Sequence, residues 1–548
     1  MTDPQSFASP SLADALRAVA DTIRVADFEA ARAHAESAIA RGLVHPAFHS
    51  ARALWFERQG RDSDALASFQ QARMLAPKDA RLMNAIGLCF IRLWRMNDAV
   101  ALFDEAIRIE PANSVTHQRR ALALAFAGKA AESETAYRRA VQLDPHNAEA
   151  LGSLAAIAAR NGHAQPARQY AERALRTDAD NGTARAALAL VDLAAGDAQA
   201  AERHCLRVLE NPQTVRHGKA VAFGLLGDAL DAQDRTAEAF EAYTKSNGEH
   251  QKLHAPRFTG VASASDAIGA AITILEHAPP QLFDRLSRNQ AAHDDAPRHV
   301  FLLGFHRSGT TLLGQALGSH PDIATLEEHD CLAGPSSRYL TSAEGIARLS
   351  ALNGSELAET RADYWRQVRD HRIDPDRQIV VDKHPFHTIK LPLIHKLFPQ
   401  ARIVFALRDP RDVVLSCFRR HFDVDIVKFE FLSLENAARL YDLVMRVSAL
   451  CRERLALTVF EHRHESLVAD FDAQMQSVCA FLGVPWHQSM RNFAANAQGL
   501  DRRSLSAAQL QRGINGDGIG QWQRYRRELA PVLPRLEPWV GRFGYDPA

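Results

Sequence analysis

Cysteine is scarce and never closely spaced: Cys89, Cys205, Cys331, Cys417, Cys451 and Cys479 are scattered through 548 residues with no C-x-x-C pair. That excludes a disulfide framework and a thiolate zinc site, and reads as reduced thiols. An excess of one charge is also lacking. Lys plus Arg (65) equals Asp plus Glu (65), so global electrostatics make no case for nucleic acid or a membrane surface. No apolar run approaches the roughly 20 residues of a membrane span. The N-terminal stretch shows no basic start followed by an apolar core, so no secretory signal is read there. A soluble, cytoplasmic chain is the expectation. Its length calls for two or three domains, each with its own core.

Strand signals are nearly absent before about residue 255, where alanine dominates instead. Pro77, Pro111 and Pro145 recur at a fixed spacing, each followed by a polar pair and a new apolar helix. Small and aromatic positions keep register with them: Ala65, Phe69 and Ala72; Gly87, Ala99, Phe103 and Ala106; Tyr137 and Ala140; Gly162, Ala167 and Ala174; Gly196 and Ala201; Gly227, Ala239 and Tyr243. Small residues let paired helices approach, the aromatic fills the gap, and proline is expected to begin the next helix. The period and pattern resemble the tetratricopeptide repeat (TPR), in about seven units over 12–253. The resemblance implies an all-α solenoid whose concave surface holds a peptide or protein partner.

Residues 254–297 read as a junction, with a short apolar helix near 267–275 and Pro279-Pro280. From 298 to 548 the pattern changes. Short β-rich runs at 299–303, 378–381, 402–407 and 457–460 alternate with helical segments, which predicts an α/β domain with a parallel sheet. After the first run comes Gly304-Phe305-His306-Arg307-Ser308-Gly309-Thr310-Thr311, a phosphate-loop spacing that lacks the lysine a nucleoside triphosphate site places after its second glycine. Backbone N–H groups and the helix dipole at such a turn still favour an anion.

Two further strand ends carry cations. Val380-Val381-Asp382-Lys383-His384-Pro385 ends in a lysine, and Ala406-Leu407-Arg408-Asp409-Pro410-Arg411-Asp412 leads into a helix bearing Ser416 and, at i+4, Arg420. Ligands of open parallel sheets bind outside the carboxyl ends of the strands, so Arg307, Lys383 and Arg408 are expected around one polyanionic ligand.

These motifs together resemble the sulfotransferases that use 3′-phosphoadenosine-5′-phosphosulfate (PAPS). The string from Arg307 to Leu312, then His320-Pro321 and Glu327-Glu328, resembles the tyrosylprotein sulfotransferase branch. So do Asp382-Lys383-His384-Pro385-Phe386 and Leu397-Phe398-Pro399. TPR arrays fused ahead of such a domain are known among bacterial sulfotransferases. The resemblance implies a P-loop-like sulfotransferase domain behind the TPR solenoid. Arg307, Ser308, Gly309, Thr310 and Thr311 would hold the 5′-phosphosulfate; Arg408, Ser416 and Arg420 would meet the 3′-phosphate. Glu328 would be the general base, with Lys383 neutralising charge at the leaving oxygen. Ser506 and Arg512 would complete the phosphosulfate and 3′-phosphate contacts from a covering loop, and Trp522 would be packing. No metal is implied.

The sequence departs from the family at three places. His306 stands where a proline is usual, His464 where a tyrosine near adenosine is common, and Asp330 where tyrosine-modifying enzymes carry an acceptor-region arginine. Glu327 competes with Glu328 for the base role, since one of two neighbours is expected to face the pocket. Protein tyrosine, a glycan and a small metabolite all stay open as acceptors. A degenerate phosphate-loop kinase and a TPR interaction protein with an inactive nucleotide-binding domain are the alternative functions.

Overall fold

The computed structural model describes residues 11–288, 298–376, 378–420, 424–493 and 513–547. Fourteen helices follow one another from Leu12 to His254. Three of them begin at Ala80, Ser114 and Ala148, and their N-caps Asp79, Asn113 and Asn147 each accept from a backbone N–H of the first turn. The recurring prolines therefore do not begin the helices. They lie three residues before the first helical residue, in the turn, and the side-chain cap that follows opens the helix. Within a pair, packing is as the spacing requires: a Cβ on Gly87 would lie 2.5 Å from the Phe103 ring.

The chain forms two compact units, Met1–Ala195 and Gly196–Ala548. Among its described residues the first holds only helices and their connections, with its core made mainly of alanines, leucines and the aromatics Phe48, Phe69 and Phe103. The second begins with the helices Ala198–Glu210, Arg216–Asp231 and Thr236–His254, which the repeat pattern grouped with the array. They belong with the C-terminal unit because Thr236–His254 is bonded into it. Buried Asn247 donates to the Phe418 carbonyl at 2.9 Å, Gln251 donates to the Leu432 carbonyl at 3.0 Å, and Phe240 stacks on Phe418.

In that unit five parallel strands form one sheet in the order β2-β3-β1-β4-β5: β1 His299–Leu303, β2 Ile323–Glu327, β3 Ile379–Lys383, β4 Arg402–Leu407 and β5 Thr458–Arg463. β1 and β3 are buried at every position, as a central parallel strand must be. One face packs on the helices Thr310–Gly318 and Phe471–Leu482 through Leu313, Leu317, Met475, Val478 and Leu482. β2 was not legible in the sequence. It is an edge strand, only partly buried, and its Ile-Ala-Thr-Leu-Glu run holds only two large apolar residues, Ile323 and Leu326. The junction helix is longer than expected, Ala264–Glu276, and is followed by Pro280–Ser287. Among the described residues no helix is long and apolar enough to cross a membrane.

Candidate active site

The site is built at the carboxyl end of the central strand. β1 lies between β3 and β4, so its following loop is flanked by Lys383 on one side and Arg408 on the other. Gly304 takes φ +150°, and a Cβ there would sit 2.7 Å from the Ala406 carbonyl oxygen. Thr388 holds this turn: its Oγ1 lies 2.7 Å from the Gly304 oxygen and 3.1 Å from the Gly304 nitrogen. Gly309, at φ +89°, caps the helix Thr310–Gly318, and a Cβ on it would lie 2.5 Å from His464 Nδ1. Gly304 leaves room for the neighbouring backbone and Gly309 for the His464 ring, space that a side chain would fill.

Arg307, at φ +67°, turns toward β4 and donates from Nε to Ser416 Oγ at 3.0 Å. Arg408 donates from Nη1 to the Arg307 carbonyl at 2.9 Å and from Nη2 to the Gly518 carbonyl. The loop arginine, the strand-end arginine and the helix serine are thus one cluster. Desolvation, with the charges of Arg420 and Arg408 beside it, pushes Arg307 down to about 10. Cations crowded together in this way favour a neighbouring anion. Ser308 and Thr310 are buried under the loop and Thr311 is half-buried.

His464 opens the helix His464–Ala469 and lies against Gly309. Desolvation, then the charge of Arg408, pushes it down to about 3, so its ring is neutral. Its Nδ1 and the Nε of Arg408 are shielded from solvent and have no hydrogen-bond partner among the described residues. Orphaned polar atoms beside a cradle of this shape fit a bound phosphorylated nucleotide.

The opposite wall is made by the ends of β2 and β3. Lys383, only 2% exposed, donates to Glu328 Oε1 at 2.8 Å and lies 2.6 Å from Glu327 Oε2. The expectation that one of the two glutamates would turn away is corrected. Glu328 adopts φ +49°, outside the strand conformation, and its N–H bonds the Lys383 carbonyl at 2.9 Å. This kink brings both carboxylates to the same ammonium. Gln315 donates to Glu327 Oε1 at 2.9 Å and tethers the inner member of the pair. Desolvation alone would raise Glu328, but the charge and hydrogen bond of Lys383 outweigh it and hold the carboxyl down at about 2. The Glu328 side chain remains 45% exposed.

Behind this wall Asp330 is committed elsewhere. Lys390 Nζ lies 2.6 Å from both of its oxygens, and His387 Nε2 lies 3.0 Å from Oδ1. His387 also faces Asp382 Oδ1 at 3.5 Å, and Tyr364 donates to Asp382 Oδ2 at 2.8 Å. Burial works against a charge on His387, yet Asp382 and Asp330 together raise it. Asp330, His384 and His387 bring one ligand atom each within 4.8 Å of one another. A cation there would have to displace the Lys390 ammonium, and the described geometry is that of an ion-pair network.

One of the sequence-based assignments is placed differently by the fold. The helix bearing Ser416 ends at Arg419, and Arg420 is extended (φ −109°, ψ 135°), not on the Ser416 face at i+4. Its Nη1 lies 3.5 Å from Asp228 Oδ2. Ser506 and Arg512 lie outside the described residues. Trp522 is buried under Arg411, whose guanidinium carbon lies 3.7 Å from the ring centroid, and the Trp522 backbone N–H donates to Asp412 Oδ1 at 2.8 Å. Thr388, Gln315 and Asp228 escaped the sequence reading. Thr388 falls five residues after Lys383 and Gln315 lies inside the loop helix, so only their ordinary polarity marked them.

Comparison with known proteins agrees with this architecture. Residues 297–488 match the model of the sulfotransferase family, and residues 21–77, 63–114 and 119–182 match the tetratricopeptide repeat. The chain therefore joins tetratricopeptide repeats to a domain of the sulfotransferase family. Its relatives include protein-tyrosine sulfotransferase 1 of Danio rerio, 24% identical over 294 residues that cover 50% of this chain and 78% of that protein. Protein-tyrosine sulfotransferase 1 of Homo sapiens is 23% identical over 282 residues, covering 48% of this chain and 73% of its own. Among solved structures, PilF of Pseudomonas aeruginosa overlaps 36% of this chain and 90% of its own, at 16% identity and a TM-score of 0.33.

Proposed function

We propose that the chain transfers a sulfuryl group from PAPS to an acceptor hydroxyl, with protein tyrosine as the favoured acceptor and the repeats holding a peptide or protein partner. The observation that carries this reading is the position of Lys383, buried between two carboxylates and facing a loop whose arginine is already joined to Ser416 and Arg408. Such a site has a cradle for one phosphorylated group, cations for a second, and a carboxylate on its open side.

In this reading the loop amides and Arg307 hold the 5′-phosphosulfate, while Arg408 and Ser416 face the 3′-phosphate. The acceptor oxygen attacks sulfur, its proton passes to Glu328, and the bond from sulfur to the bridging oxygen breaks to release 3′,5′-ADP. Lys383 neutralises the charge growing on that oxygen. As it turns from Glu328 toward the leaving group, the carboxylate loses the partner that holds it near 2 and becomes a better proton acceptor. Glu327, tethered by Gln315, keeps the ammonium aligned. Similarity to two protein-tyrosine sulfotransferases supports tyrosine as acceptor. Asp330 does not offer an anion-binding group there, because it is itself an acceptor for Lys390 and His387.

The test is incubation of the full-length protein with radiolabelled PAPS and defined acceptors: tyrosine peptides, oligosaccharides and small phenols. Label on tyrosine supports the reading. Absence of transfer to any hydroxyl, with 3′,5′-ADP failing to bind, overturns it.

A further inference from the structure

The repeat pattern and the anion site meet at one residue. In the last helix pair, a Cβ on Gly227 would lie 2.5 Å from the Tyr243 ring, the same small-against-aromatic packing that pairs Gly87 with Phe103. That packing fixes a fully buried Tyr243, whose hydroxyl donates to Asp228 Oδ1 at 2.8 Å. With one oxygen held, Asp228 directs the other, Oδ2, at Arg420. Arg420 in turn is the neighbour whose charge, after desolvation, acts most on Arg307. Hydrogen bonds thus link the helical repeat to Arg420, which lies four residues beyond the Ser416 that accepts from Arg307 of the phosphate loop.

A carboxylate fixed beside an anion site opposes the anion in two ways. It repels the incoming charge, and it occupies a guanidinium that would otherwise meet it. We propose that Asp228 is a specificity-determining residue of the site: it holds Arg420 until a ligand with a charged group at the 3′ position takes the arginine from it. A nucleotide with a bare 3′-hydroxyl leaves the Asp228–Arg420 pair intact, so Asp228 acts only on ligands that carry the second anion. The helical repeat nearest the site is then part of the binding machinery. The identity of the ligand rests on the PAPS reading above; the competition between Asp228 and an anion does not.

Calorimetric titration of the full-length protein and of Asp228→Asn with 3′,5′-ADP, 5′-AMP and inorganic sulfate tests this. The Asp228→Asn protein should bind 3′,5′-ADP about two- to five-fold more tightly, the scale of a partly exposed charge pair, with 5′-AMP affinity unchanged. Arg420→Gln should weaken 3′,5′-ADP binding, and the double variant should lose the gain of Asp228→Asn. Equal or weaker 3′,5′-ADP binding by Asp228→Asn, with an unchanged melting temperature, overturns the proposal. If the natural protein does not bind 3′,5′-ADP at all, the PAPS reading falls. The sulfate titration then decides on Asp228, which stands if Asp228→Asn binds sulfate more tightly and falls if it does not.

Discussion

The Lys383 ammonium lies 2.8 Å from Glu328 Oε1 and 2.6 Å from Glu327 Oε2, so one buried cation is shared by two consecutive carboxylates. The sharing requires the positive φ of Glu328, and it links the edge strand β2 to β3 where the chemistry is expected. Lys383 therefore organises the site before it neutralises any charge.

Replacing Glu328 should separate binding from chemistry. Glu328→Ala should lower sulfate transfer by about 10²–10⁴-fold, the range of a lost general base, while 3′,5′-ADP affinity largely survives. Lys383→Ala should lose transfer at least as severely and leave both glutamates without their cation. Steady-state rates with titrated nucleotide affinities read this out, and full activity in Glu328→Ala would move the base role to Glu327.

Arg408 braces the loop through the Arg307 carbonyl and reaches the Gly518 carbonyl as well. Arg408→Ala should weaken 3′,5′-ADP by about ten-fold or more, as expected on losing a charged hydrogen-bond donor. Calorimetry that finds unchanged affinity would remove Arg408 from the 3′-phosphate site.

Gly309→Ala should damage nucleotide binding without touching any charged group. The new methyl would enter a left-handed backbone and lie 2.5 Å from His464 Nδ1. The double variant Gly309→Ala, His464→Ala relieves the contact but not the backbone conformation, so affinity should recover only in part. Recovery to the natural value would show that contact alone, and not backbone strain, accounts for the loss.

The His387 network should give stability a pH dependence of definite sign. His387 is raised above its ordinary value by Asp382 and Asp330 against the effect of burial. Its contribution is fully present below the unfolded-state value of about 6.5 and is lost as pH rises through the higher folded value. The stability difference between the natural protein and His387→Gln, from urea unfolding, should be larger at pH 5.5 than at pH 9. An equal difference at both would mean that the imidazole is not charged in the fold.

Arg419 tests how firmly the last helix pair is joined to the C-terminal unit. It is buried, paired with Asp231, 3.2 Å from the Tyr243 hydroxyl and 5.1 Å from the Tyr525 ring centroid. Arg419→Ala leaves Asp231 with Tyr525 and Arg524 but without its buried partner. Unfolding free energy should fall by about 1–3 kcal/mol, the scale of a lost hydrogen bond to a charged group that keeps other partners, measured by denaturant titration.

Much of this was legible in the sequence because it is local. The helical period, the phosphate-loop spacing and the strand ends bearing Arg307, Lys383 and Arg408 depend on residues close together in the chain. Spacing alone predicted the parallel sheet and placed those three at carboxyl ends. It misjudged the recurring prolines because a turn proline and an N1 proline differ here by three residues, and only the caps Asp79, Asn113 and Asn147 separate the cases. It missed β2 because an edge strand needs little apolar surface.

What the sequence by itself determined is a helical repeat array and an α/β domain with an anion cradle, since both are written as short-range periodicity. Only the tertiary structure decided the rest: that Glu327 and Glu328 share Lys383, that Asp330 belongs to Lys390 and His387, and that Arg420 leaves its helix to meet Asp228, 192 residues away. Those pairings join charges from strands and helices far apart in the chain. Which partner a charged side chain takes is set by burial and by the competing charges around it, and neither is encoded in the residues next to it.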